Sequence, residues 1–178
     1  TEAARAAEVC SEITAMGGHA LAVQGDVSQA DEVDALVART LEAFGVPGIL
    51  VNNAGIASVG PIDELAVEQW DRVIAVHLRG TFLMTRRVLP LMYARGSGRI
   101  ISTASQLAYK GAPGFAHYTA AKAGIIALTR SVALEIGARG ININCVAPGA
   151  TMTPMLEDVP ADRLARIRVD DATGTVKR

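Results

Sequence analysis

The chain has 178 residues, 50% of them hydrophobic, and a formal net charge of -1 with both signs spread along it. That is enough for one domain with its own core, read as a single partial unit over 1–178, and it argues against a basic nucleic-acid face or a membrane-surface patch. No apolar run reaches the roughly 20 residues of a bilayer span, and the opening TEAARAAEVCSE is too charged for a signal peptide, so a cytoplasmic protein is expected.

Residues 2–16 predict an amphipathic helix stopped by the glycines at 17–18. HALAVQGDV follows as a first strand, and 29–44 as a second helix with Asp31 and Glu32 in its first turn. GILVNNAG gives a second strand ending in a polar turn. Residues 67–95 predict one long helix kinked by Pro90. GRIISTAS is a third strand, 117–137 another long helix, and GININCVAPG a fourth strand; a short helix is expected near 160–168. Cys10 and Cys145 form no CxxC pair and are expected as buried free thiols. His19, His77 and His117 lack metal spacing, so no zinc or iron site is expected.

The strands are apolar runs rather than strict alternations, and they alternate with helices. That pattern predicts an α/β fold, a doubly wound Rossmann-like parallel sheet covered on both faces by helices. Asp26, Asn52 with Asn53, Ser105, and Pro148 with Gly149 all follow carboxyl ends of strands, so they share one rim. In open α/β sheets ligands bind at that rim.

Tyr118 and Lys122 in YTAAK are four apart on a predicted helix and share a face. An ammonium beside a phenol favours the phenolate and lowers its pKa, which suits general acid–base work. Ser105 can hydrogen-bond a substrate oxygen from the other side. Each feature alone has an ordinary structural reading, as a helix surface pair or a strand-end turn. Together they describe a site that polarises a carbonyl or deprotonates an alcohol. A hydride carrier is missing from such a set and must be a cofactor. No GxSxG elbow supports Ser105 as a nucleophile.

With GDV at 25–27, NNAG at 52–55, GRIISTAS, YTAAK and NCVAPGATMT at 144–153, the chain resembles the short-chain dehydrogenase/reductases up to about residue 157. The resemblance implies a nicotinamide cofactor, NAD or NADP. Tyr118 is then the general acid/base, Lys122 its partner and the ligand of the nicotinamide ribose, and Ser105 the holder of the substrate oxygen. It also implies Asp26 and Val27 at the adenine, and Asn53, Ala54 and Gly55 along the cofactor's ribose side. Pro148, Gly149, Thr151 and Thr153 then flank the nicotinamide. Family members usually carry asparagine where this chain has His77, in a helix near the active site that supports a proton relay. Imidazole also donates and accepts, so either a relay through His77 or simple packing is open.

Three family parts have no counterpart here. The glycine-rich phosphate loop is absent, since GGHA at 17–20 leaves a helix and enters a strand. The first two strands and the last strand are also missing, and with them the residue that chooses NAD or NADP. In the family order 3-2-1-4-5-6-7, a gap about 14 Å wide is expected beside the second strand of this chain. The sequence thus reads as part of a longer protein.

The expected function is reduction or oxidation of a carbonyl or secondary alcohol, with a 3-oxoacyl thioester on acyl carrier protein as the narrower reading. A small-molecule or acyl-thioester substrate and a homodimer or homotetramer through the two long helices are implied, with no nucleic acid and no membrane. The competing reading is a non-catalytic truncated paralogue that joins a full-length relative.

Overall fold

The computed structural model describes residues 2–149. The expectations at Thr151, Thr153 and 160–168 lie outside that range. In chain order the elements are α1 (Glu2–Ala15), α2 (Ala30–Phe44), β1 (Ile49–Asn52), α3 (Val67–Ile74), a π-helical turn (Ala75–Arg79), α4 (Gly80–Arg95), β2 (Gly98–Thr103), α5 (Leu107–Lys110), α6 (Ala116–Ile136) and β3 (Ile141–Val146).

The sheet is parallel with order β1-β2-β3, pairing Leu50 with Ile100 and Ile100 with Ile143. Consecutive parallel strands need a helical crossover, and α3 to α4 and α5 to α6 supply the two crossovers. Leu50, Ile100, Ile141 and Ile143 point to one face and pack with Val37 of α2, Val88 and Met92 of α4 and Ile136 of α6. The opposite face is more open than the apolar runs suggested: Ile49 is 58% and Val51 56% exposed. Helices of the described residues cover the Leu50–Ile100–Ile143 side.

Helix α1 ends as its glycines require. Gly17 takes φ +82°, with Gly18 N–H bonded to the Ile13 carbonyl and Gly17 N–H to that of Thr14. This pair of bonds satisfies carbonyls that would otherwise be orphaned, and only glycine takes that φ without strain.

Three expectations need correction, and one element is additional to them. HALAVQGDV forms no strand ladder, because no strand of the described residues lies alongside it; β1 is likewise paired only with β2. The helix over 67–95 is interrupted at the π-helical turn, while Pro90 sits inside α4. The turn α5 was not foreseen. Cys10 and Cys145 are free but half-buried; α1 has little packed against it, and Cys145 lies at the margin of the small cluster of Ala104, Ile125 and Ile126. No helix among the described residues is long and apolar enough to cross a membrane.

Candidate active site

Three strand ends build the site. β2 delivers Thr103, Ala104 and Ser105 to the rim, β1 delivers Asn52 to Gly55, and β3 delivers Pro148 and Gly149. Backbone bonds from Ala104 N–H to the Val146 carbonyl and from Gln106 N–H to the Pro148 carbonyl lock the second and third exits together. Asn52 is buried and structural: its amide donates to Thr85 Oγ1 and Ser102 Oγ, each at 3.2 Å. Asn53 Oδ1 accepts from Thr103 Oγ1 at 2.9 Å, tying the first exit to the second.

Helix α6 brings Tyr118 and Lys122 over these exits. Lys122 Nζ stands 5.6 Å from the Tyr118 ring centroid and donates to the Thr103 carbonyl at 2.5 Å. The lysine is only 4% exposed, and burial lowers its pKa from 10.5 to about 8. Ser105 is buried, accepts from Leu107 N–H at 3.2 Å, and hydrogen-bonds the Tyr118 side chain. The structure therefore brings Ser105, Tyr118 and Lys122 together as the spacing predicted.

The direction of the tyrosine shift is a correction. Burial raises the Tyr118 pKa above 10.0, and the hydrogen bond with Ser105 only offsets part of that. Sequence spacing reveals the neighbouring ammonium but not the desolvation, which here wins. The phenol is accordingly neutral at physiological pH.

His77 lies in the π-helical turn, 1% exposed, edge-on to Tyr118 with ring centroids 5.3 Å apart. Single π turns are often found at functional sites. Its Nε2 is 2.7 Å from the Ile56 carbonyl and 3.1 Å from the Ile56 N–H, while Nδ1 is buried without a partner. A protonated Nε2 donates to the carbonyl over the shorter distance and leaves no buried ring N–H without an acceptor, at the cost of the Ile56 N–H contact, so that tautomer is favoured. Burial holds the imidazole neutral, with its pKa at about 4. His77 thus anchors the loop after NNAG. A side-chain amide offers both a donor and an acceptor to Ile56, so His77→Asn is expected to keep or raise turnover in steady-state assays. A collapse of turnover would show that the imidazole itself is required.

Gly55 explains how the loop approaches His77. A Cβ there would stand 2.5 Å from Cε1 of the buried ring. Gly55→Ala is expected to cost about 1–3 kcal/mol, as overpacking of a fixed ring does, which urea denaturation measures.

A cavity of about 570 Å³ opens beside Asp26, Val27, Ala54, Gly55 and Ile56, a size usual for small-molecule sites. Asp26 accepts from Ser28 N–H (2.9 Å), Ser28 Oγ (2.7 Å) and Arg72 (2.8 Å). The Ser28 and Arg72 hydrogen bonds hold its pKa at about 2. A second cavity, about 240 Å³, lies between Val27 and β1, where Val51, Asn52 and Val76 line it. Sequence reasoning missed Arg72, 46 residues from Asp26, and the Thr103 carbonyl under Lys122. Backbone acceptors leave no mark in sequence.

An open parallel α/β sheet with a tyrosine, a lysine and a serine gathered at its carboxyl rim, beside a cleft carrying a carboxylate, defines a dinucleotide-dependent oxidoreductase architecture. The short chain dehydrogenase model matches residues 1–164, and the chain belongs to that family. It is 42% identical to a 3-oxoacyl-[acyl-carrier-protein] reductase of Synechocystis over 95% of this chain and 71% of that one. It is also 42% identical to the (2S)-[(R)-hydroxy(phenyl)methyl]succinyl-CoA dehydrogenase subunit BbsD of Thauera aromatica, over 84% of this chain and 60% of the relative. The crystal structure of a 3-ketoacyl-ACP reductase from Sinorhizobium meliloti superposes with TM-score 0.80 at 40% identity, covering 83% of this chain and 59% of that one. The chain thus spans about 60 to 70% of the length of these relatives.

Proposed function

We propose that these residues form the catalytic part of an NAD(P)-dependent oxidoreductase that reduces a 3-oxoacyl thioester to the 3-hydroxy form. The observation that carries it is the convergence of Ser105, Tyr118 and Lys122 on one rim. Support for a thioester comes from the relatives, whose names include an acyl-carrier-protein substrate and a CoA substrate.

When bound, the nicotinamide supplies the hydride. Asp26 and Val27 would hold its adenine end in the larger cavity, and Asn53, Ala54 and Gly55 its ribose side. The fit rests on that cavity, on the partly exposed Asp26 carboxylate within it, and on the Lys122 ammonium. The ammonium carries three donors, of which Thr103 takes one. Pro148 and Gly149 would border the nicotinamide, and Thr151 and Thr153 complete that set in the proposal.

Ser105 would donate to the substrate carbonyl oxygen and orient it toward Tyr118. Reduction of that carbonyl would place negative charge on its oxygen. The neutral Tyr118 phenol gives its proton to it, and the buried Lys122 ammonium stabilises the phenolate left behind. Phe82 (45% exposed) and Leu134 (89%) on α4 and α6 support self-association through these helices.

The test is oxidation of NADPH and NADH by the intact native protein with acetoacetyl-CoA and with simple ketones. Turnover with the thioester well above that with ketones is expected. Equal rates with unrelated ketones would remove the thioester assignment, and no cofactor oxidation with any carbonyl would leave the non-catalytic reading.

A further inference from the structure

Two buried histidines reach the same loop from opposite ends of the site. His77 grips Ile56 through Nε2, as described above. His117, 0% exposed at the start of α6, meets Ser58 Oγ through its own Nε2 at 2.5 Å. Both Nδ1 atoms are buried without a partner, so each ring gives its one satisfied contact to the loop over 56–58. Burial keeps both imidazoles neutral. A third tie lies just beyond, where Gly60 N–H donates to the Gly114 carbonyl at 3.1 Å.

Tyr118 stands between the two grips. His117 is its neighbour in the chain, and His77 packs edge-on against its ring. The loop itself continues directly from Asn53, Ala54 and Gly55. We propose that His117 and Ser58 form a latch which, with His77, fixes the loop over 56–60 to the start of α6 and thereby sets the distance between Tyr118 and the Asn53–Gly55 turn. His117 is thus a positioning residue, acting through the loop and not on the substrate. His77 packs against the Tyr118 ring, and the charged Lys122 and the second histidine, His117, both act on it electrostatically.

The physical reason is economical. A loop carrying no regular secondary structure depends on side-chain contacts to hold one conformation. A buried imidazole bonded to a hydroxyl supplies such a contact, and removing either partner strands the other. Loss of the latch is expected to let the loop open and to misplace Tyr118 relative to the turn, which lowers turnover more than it weakens substrate binding.

The test is amide hydrogen exchange of the segment over 56–60 in the intact protein, for Ser58→Ala, His117→Ala and the double variant. Each single variant is expected to speed exchange by about tenfold, the worth of one buried hydrogen bond, and the double by no more than either single. His117→Gln, whose amide reaches toward Ser58, is expected to restore most of the protection. The kcat of Ser58→Ala is expected to fall by a similar factor with KM little changed. Unchanged exchange in Ser58→Ala, or factors that multiply in the double variant, would overturn the latch. Should His117→Ala not fold, Ser58→Ala at its half-buried site decides alone. The latch rests on the catalytic reading for its purpose, but the exchange measurement needs no turnover. A protected loop in an inactive wild type would sink the catalytic reading and leave the latch standing.

Discussion

Tyr118→Phe is expected to lower turnover by about 10²- to 10⁴-fold, the contribution of one positioned general acid, while leaving cofactor affinity nearly unchanged. The substitution removes one oxygen from a half-buried ring. The contacts of that ring with His77 (5.3 Å) and Phe115 (6.1 Å) involve its carbon atoms and survive. Lys122 also keeps its bond to the Thr103 carbonyl, so the cation stays in place. What disappears is the proton donor and its hydrogen bond with Ser105. The loss therefore falls on kcat, and cofactor titration by fluorescence separates it from a binding defect. Turnover within a few-fold of wild type would assign proton transfer to another group.

The second large effect is loss of stability in mild acid. His77 is neutral in the folded state, its pKa held at about 4 by burial against an ordinary 6.5. Between these values the unfolded chain binds a proton that the folded chain does not. Stability from this group is thus complete above about pH 6.5 and falls as pH drops toward 4, by about 3 kcal/mol in all. His117 is shifted in the same direction by burial and adds to the slope. Asp26 acts in a lower window: its carboxylate stabilises the fold above about 3.8 and loses that contribution as pH falls toward 2. Urea denaturation at about pH 7 and about pH 4.5 is expected to show the loss in wild type and a smaller loss in His77→Asn. Equal losses in both would mean that another group carries the acid sensitivity.

The rim of the sheet was legible in sequence because strand ends are marked by composition. Apolar runs stop at Asn52, Ser105 and Pro148, and α6 carries Tyr118 and Lys122 one turn apart. Features that depend on distant or backbone partners were not. HALAVQGDV has the composition of a strand, but a ladder needs a neighbour, and none of the described residues supplies one. The break in the long helix was assigned to Pro90, the one residue whose chemistry announces it, whereas the π turn over 75–79 carries no proline. Thr81, in the first turn of α4, donates its Oγ1 back to the His77 carbonyl of that turn at 2.7 Å, and a threonine there looks ordinary in sequence. The tyrosine shift was misjudged for a related reason. A lysine four residues away is visible in a string of letters, while the desolvation of a phenol is a property of the packed fold. His117 was read only for metal spacing, and its partner Ser58 lies 59 residues away.

The most direct measurement follows the hydride itself. Intact native protein is mixed with NADPH or NADH deuterated at the transferable position and with acetoacetyl-CoA, and the product is examined by mass spectrometry. The predicted result is one deuterium on the carbon that bore the ketone, lost in Tyr118→Phe. A cofactor-bound protein that transfers no deuterium to the thioester would contradict the assignment of Ser105, Tyr118 and Lys122 as its reducing site.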